Sequence, residues 1–165
     1  MTYDAAAFES DIPVELKAVL GNAEAPCSDP DLAERALAAA VHHAPENLSL
    51  RMATYAFYFY ANRLQEAIPH AEACLAIAGD ALGVGRDWRT VGPDSAAFGG
   101  FERPQRVYLK SLVALGYCRA RLGDVAGAEA LLRKAASLDP QDKIGAAALA
   151  DLVARGGVHD EDDEA

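Results

Sequence analysis

Apolar residues recur at helical spacing along most of the chain, and short polar or Gly/Pro breaks divide them into segments. A turn is expected around Ala5–Phe8. A first helix opens at Pro13, carries Val14, Leu16, Val19 and Leu20, and ends at Gly21-Asn22. After a connector from Ala25 to Pro30, Asp29 or Ser28 can cap a second helix running to about His43. Its apolar set Leu32, Ala33, Ala36, Leu37, Ala40 and Val41 makes one amphipathic stripe. Pro45 closes that helix. Asn47 opens a third, which ends near Asn62, a residue that tolerates the left-handed conformation. The fourth packs through Ala67, Ile68, Ala71, Cys74, Leu75 and Ala78, and Pro69 implies that it either starts late or bends.

The third helix is unusual because Tyr55, Phe57, Tyr58, Phe59 and Tyr60 put rings on every side of it. Leu50, Thr54, Phe57, Tyr58 and Ala61 form one stripe, and Met52, Ala56, Phe59, Tyr60 and Arg63 form another, roughly opposed. A helix apolar on two sides is either central or receives a partner on one of them. From Gly79 to Pro104 the periodicity breaks, yet Trp88, Val91, Phe98 and Phe101 make this an anchored insertion rather than a linker. Trp88 either pins this loop to the domain or lines a groove. Helical patterning resumes from Gln105 to Arg121, turns at Gly123-Asp124, and returns from Val125 to Leu138, closed by Asp139-Pro140. A last helix is expected to present Ile144, Ala148, Leu149, Leu152 and Val153 on one face and Ala150, Asp151 and Arg155 on the other, stopping at Gly156-Gly157.

These pairs line up with a thirty-four-residue period once Pro45 and Pro140 and the turn residues Asn62 and Gly123 serve as rulers. In the last pair Leu112, Leu115-Gly116, Gly123, Ala128, Leu132, Ala135 and Pro140 fill the places of the tetratricopeptide pattern, with Arg119 where an aromatic is usual. In the middle pair Tyr55, Tyr58, Asn62, Ala67, Ala71 and Cys74 correspond, and in the first Leu20-Gly21, Ala33, Leu37, Ala40 and Pro45. The chain thus resembles the tetratricopeptide repeat family from about Pro13 to Pro140. The resemblance implies an all-α, right-handed α-solenoid of three helix hairpins plus a C-terminal capping helix. Its parts are an N-terminal segment 1–12, repeats at about 13–45, 46–81 and 109–140, an insertion 82–108, a capping helix 141–155 and a disordered acidic tail 156–165. Phe57-Tyr58-Phe59-Tyr60 followed by Asp87-Trp88-Arg89 is also similar to small bacterial proteins encoded near nitrogen-fixation genes.

In the tetratricopeptide family the first helix of each pair lines a concave groove for extended peptides or partner helices. Carried over by position, the lining is Ser49, Met52, Ala56, Phe59 and Tyr60, then Lys110, Val113, Tyr117, Ala120 and Arg121, with Arg51, Arg63 and Arg106 close by. The expected contact residues are Met52, Phe59, Tyr60, Arg63, Lys110, Tyr117 and Arg121, with Trp88 as a lid; rigid aromatics beside Arg suit an interface. The places of that family's Lys/Asn carboxylate clamp hold Met52, Ala56, Val113 and Tyr117, so that clamp is not expected. The implied function is a non-catalytic scaffold for a protein or peptide. One alternative is a self-associating module, a homo-oligomer whose groove is filled by another copy; a second is a metal-dependent factor or enzyme using the insertion.

Composition narrows the choice. Of the net charge of −10, Asp160, Glu161, Asp162, Asp163 and Glu164 contribute −5, leaving −5 for the rest, and no basic cluster offers a grip on nucleic acid. Cys27, Cys74 and Cys118 are odd in number and lack C-x-x-C spacing, which points to neither a disulfide framework nor a zinc knuckle. No apolar run reaches membrane-spanning length and no leader pattern opens the chain, so a cytoplasmic protein with no membrane partner is expected. His70 and Cys74 share a helix face, but two ligands do not make a metal site; no metal or cofactor is expected. No nucleophile elbow, phosphate-binding glycine loop or pair of acids on one face suggests catalysis.

Overall fold

A computed structural model describes residues 12–21 and 27–156, all-α among these residues, with seven α-helices and no β-strand. In order they are α1 (Val14–Leu20), α2 (Pro30–His43), α3 (Leu48–Tyr60), α4 (Leu64–Leu82), α5 (Arg103–Arg121), α6 (Val125–Leu138) and α7 (Ala146–Ala154), with a 3-10 turn at Trp88–Thr90. The turn expected around Ala5–Phe8, the Asn22 helix stop, the Ala25-Pro26 part of the connector and the acidic tail from residue 157 lie outside the described residues.

Side-chain caps start three of these helices. The Asp29 carboxylate accepts from Leu32 N–H (3.1 Å), the Asn47 amide oxygen from Leu50 N–H (3.1 Å), and Asp124 from Gly127 N–H (3.0 Å), each satisfying a donor that the first turn leaves open. Helix ends repeat a second device. Asn62, Gly83 and Gly123 take left-handed backbone, with φ of 58°, 71° and 90°. The following residue's N–H then reaches back over the last turn, from Arg63 to Tyr58 O (2.9 Å), Val84 to Gly79 O (3.0 Å) and Asp124 to Arg119 O (2.9 Å).

The chain divides into two compact units, residues 1–73 and 74–165, the boundary falling within α4. The first holds a core of Ile12, Leu16, Leu37, Leu50 and Ala53, with Leu20, Ala36, Val41 and Phe57 packed around it. In the second, α5 packs on α6 and α6 on α7. Ala128, Leu132, Ala150 and Val153 are the buried centre there. Gly116 allows α5 to come close to α6, because a Cβ on it would lie 2.7 Å from Leu132 Cγ and 3.3 Å from the Ala128 carbonyl oxygen.

Helices α2, α4 and α6 begin alike. Ala33 N–H donates to Asp29 O, Ala67 to Arg63 O and Ala128 to Asp124 O, at 3.0–3.1 Å, and all three alanines are completely buried. Ala33 and Ala67 are thirty-four positions apart (67 minus 33). Ala67 and Ala128 are sixty-one apart (128 minus 67), which is the same period lengthened by twenty-seven residues.

Several expectations need correction. Helix α4 starts at Leu64, so it does not start late, and it runs through Pro69 to Leu82. The carbonyl that Pro69 leaves without a donor is that of Gln65; both residues are exposed, so water can serve it. Helix α5 begins at Arg103 rather than Gln105, with Pro104 in its first turn where a missing N–H costs nothing; residues 103–108 therefore belong to the helix. Ile144 precedes α7, its N–H bonded to the Asp139 carboxylate (3.0 Å), and Gly145 is left-handed. That shift of start turns Ala146, Ala150 and Val153 inward and leaves Ala148 exposed, reversing the expected placement of Ala148 and Ala150.

Candidate functional site

Helix α3 carries the residues that the sequence singles out in the first unit. Its buried positions are the small and aliphatic ones, Ser49, Leu50, Ala53, Thr54 and Ala56, so the expectation that Ser49 and Ala56 line a groove does not hold. Tyr55, Phe57 and Tyr58 are all half-buried. The α3 rings instead contact one another along the helix: Tyr55 stacks on Phe59 at 5.5 Å, and Phe59 meets Tyr60 edge-on at 5.5 Å. Met52 and Phe59 are half-buried and Tyr60 is 52% exposed.

Arg63 is not the groove cation expected of it. Its guanidinium grips Glu34 with both Nη atoms, at 2.8 and 3.0 Å, bonds Glu66 at 3.1–3.2 Å, and lies 4.9 Å from the centre of the Tyr58 ring. Two carboxylates hold it in place, and a fork-shaped cation suits that task. Tyr58 Oη also donates to Glu34, at 3.0 Å. Arg63 and this hydroxyl together hold the Glu34 carboxyl below its ordinary range, while burial and the carboxylate push the Tyr58 hydroxyl up. Sequence reasoning missed Glu34; its only signal is an acid on α2 facing the chain reversal after α3.

A second arrangement in the same unit was also missed. Arg51 Nε donates to Pro45 O at 2.8 Å, and Arg51 Nη1 lies 3.1 Å from His70 Nδ1. A guanidinium only donates, so His70 Nδ1 accepts and the proton sits on Nε2. Burial, then the neighbouring Arg51 charge, lowers the His70 pKa. The His70 ring stacks on Tyr58 at 5.7 Å. These residues border an open cavity of about 480 Å³, lined also by Ala38, Val41, His42, Pro45 and Thr54.

In the second unit the insertion is pinned by Val91 and Phe98, exposed by only 3% and 4%, and not by the half-buried Trp88. Phe98 packs on Tyr108 at 5.5 Å, Lys134 Nζ donates to the carbonyls of Arg89 (3.1 Å) and Val91 (2.7 Å), and Lys143 Nζ to that of Gly99 (3.2 Å). The Arg89 guanidinium lies 4.5 Å from the Trp88 ring centre. Lys110, Tyr117 and Arg121 fall on one face of α5, with Lys110 and Arg121 exposed and Tyr117 half-buried. Arg121 Nη1 donates to Tyr117 Oη at 2.9 Å and approaches its ring at 5.8 Å. The structure thus brings Met52, Phe59 and Tyr60 together on α3, and Lys110, Tyr117 and Arg121 together on α5.

Among the described residues no three His, Cys, Asp or Glu side chains are grouped so that they could hold a metal ion. No helix among them is long and apolar enough to cross a membrane.

The chain, all-helical among its described residues, is similar to a curated protein. Over 125 residues, 74% of this chain and 70% of the relative, it is 31% identical to the "Uncharacterized 19.8 kDa protein in nifW 5'region" of Azotobacter chroococcum mcd 1. The chain belongs to the family of that protein. No protein-family model matches it, and no solved structure does.

Proposed function

We propose that this chain is a non-catalytic interaction module of the tetratricopeptide type, built from three helix hairpins and a capping helix, that binds a peptide or a partner helix. One observation carries the reading: the recurrence of a completely buried alanine at 33, 67 and 128, each closing the same first-turn hydrogen bond. Small residues at matched places let paired helices approach, and such pairs leave their first helices to meet a ligand. The contact faces are Met52, Phe59 and Tyr60 on α3 and Lys110, Tyr117 and Arg121 on α5. Tyrosine beside arginine supplies rigid apolar area with orienting hydrogen bonds. Arg63 is left out of this set because Glu34 and Glu66 hold it.

Affinity capture from the native lysate, wild type beside Tyr60→Ala/Tyr117→Ala, tests the reading. The double variant should lose the captured protein and keep its far-ultraviolet helicity. Unchanged capture removes these faces from the account. Sedimentation velocity over a concentration series separates a foreign partner from a second copy of the chain.

A further inference from the structure

The cavity beside Arg51 and His70 lies on a different face of α3 from Met52, Phe59 and Tyr60, and the module reading leaves it unused. Its polar lining consists mostly of donors. Arg51 spends two of its five N–H groups on Pro45 O and His70 Nδ1, which fixes the plane of the guanidinium and leaves three. With Nδ1 accepting, His70 offers Nε2–H, and His42 adds a second imidazole. The Thr54 hydroxyl is occupied by Leu50 O at 2.7 Å. Among the described residues no carboxylate lines the cavity; the acid bonded to Tyr58, Glu34, is already gripped by Arg63. The remaining walls are Ala38, Val41, Pro45 and the Tyr58 ring.

We propose that this pocket binds a single carboxylate carried on an apolar body. An oriented guanidinium with a neutral imidazole donor matches the two oxygens of one carboxylate. With Arg51 the one permanent cation among the described lining residues, a monoanion fits better than a dianionic phosphate. The apolar walls and a volume of about 480 Å³ leave room for a body of small-molecule size.

The experiment titrates the full chain, with its histidines labelled with nitrogen-15, with hydrocinnamate and in parallel with the neutral hydrocinnamide, following the His70 ring signals by NMR. Hydrocinnamate should shift them saturably and bind at least about tenfold more tightly than the amide, the range of a charge-assisted hydrogen bond. Arg51→Gln should lose about tenfold or more, while Leu32→Ala, an exposed position on α2 outside the lining, should bind as wild type does. The acid-versus-amide comparison on the wild type needs no variant to fold. Acetyl-Gly-Phe with a free or amidated C-terminus asks where the carboxylate comes from: tighter binding of the free-acid peptide than of hydrocinnamate points to a chain end, weaker binding to a free small acid. Equal binding of acid and amide, no saturable shift with either, or unchanged binding by a folded Arg51→Gln overturns the proposal.

Discussion

At Gly116 helix α5 lies close against α6, so adding one methyl group there tests the packing directly. A Cβ would stand 2.7 Å from Leu132 Cγ, 2.9 Å from its Cδ2 and 3.3 Å from the Ala128 carbonyl oxygen. Comfortable carbon contacts lie at about 3.5–4.0 Å. Leu132 is completely buried, so it has no solvent to move into. Forcing a methyl into such a site costs about 1–3 kcal/mol, whereas Gly→Ala within a helix returns up to about 1 kcal/mol. Gly116→Ala should therefore destabilise the protein by about 1–2 kcal/mol. In a Leu132→Ala background, itself less stable by about 2–5 kcal/mol, the clash with Cγ and Cδ2 disappears and Gly116→Ala should become neutral or stabilising. Urea unfolding followed by circular dichroism on the four proteins gives the coupling. If Gly116→Ala stabilises the wild type, or has the same effect in both backgrounds, the close approach of α5 and α6 is wrong.

Three further outcomes are expected. Asp124→Ala removes the acceptor for Gly127 N–H and should lower stability by about 1 kcal/mol in the same urea assay, with Asp124→Asn close to wild type. Phe98→Ala takes away the ring packed on Tyr108 and should cost about 3–5 kcal/mol, with limited proteolysis speeding up within residues 83–102; an unchanged cleavage rate would contradict its anchoring role. The folded His70 ring is less basic than the unfolded one, whose ordinary value is 6.5. Between the two values the unfolded chain binds more protons, so the His70 contribution is present above about pH 6.5 and is lost as pH falls below it. His70→Gln should flatten that part of the stability profile.

The local punctuation of the fold is readable in the sequence. Pro13, Asp29, Asn47 and Asp124 start helices, and Asn62 and Gly123 end them, because capping and left-handed backbone depend on residues within a turn of one another. The matched alanines are readable too, since Ala33, Ala67 and Ala128 all sit at 0% exposure. What escapes is whatever depends on residues far apart in sequence. Glu34 reaches Arg63 twenty-nine positions on, and Arg51 reaches His70 nineteen on, and neither pair carries a local signal. Arg63 looks like an open cation until its two carboxylates are seen. Helix α7 shows how one residue matters: counting from Ile144 instead of Ala146 turns Ala150 outward on paper, while Asp139 and the left-handed Gly145 set the true start. The aromatic run on α3 is legible as a feature but not as core, because small residues sink into the core and the rings pair along the helix.

The central proposal, that the Tyr60 face of α3 and the Tyr117 face of α5 meet a protein ligand, is tested most directly by site-specific photocrosslinking in the native host. A benzophenone amino acid is placed in turn at position 60, at position 117, and at position 130, an exposed site on α6. Positions 60 and 117 should crosslink the same protein, and position 130 should crosslink none. Crosslinks from position 130 alone, or from none of the three, would contradict the account.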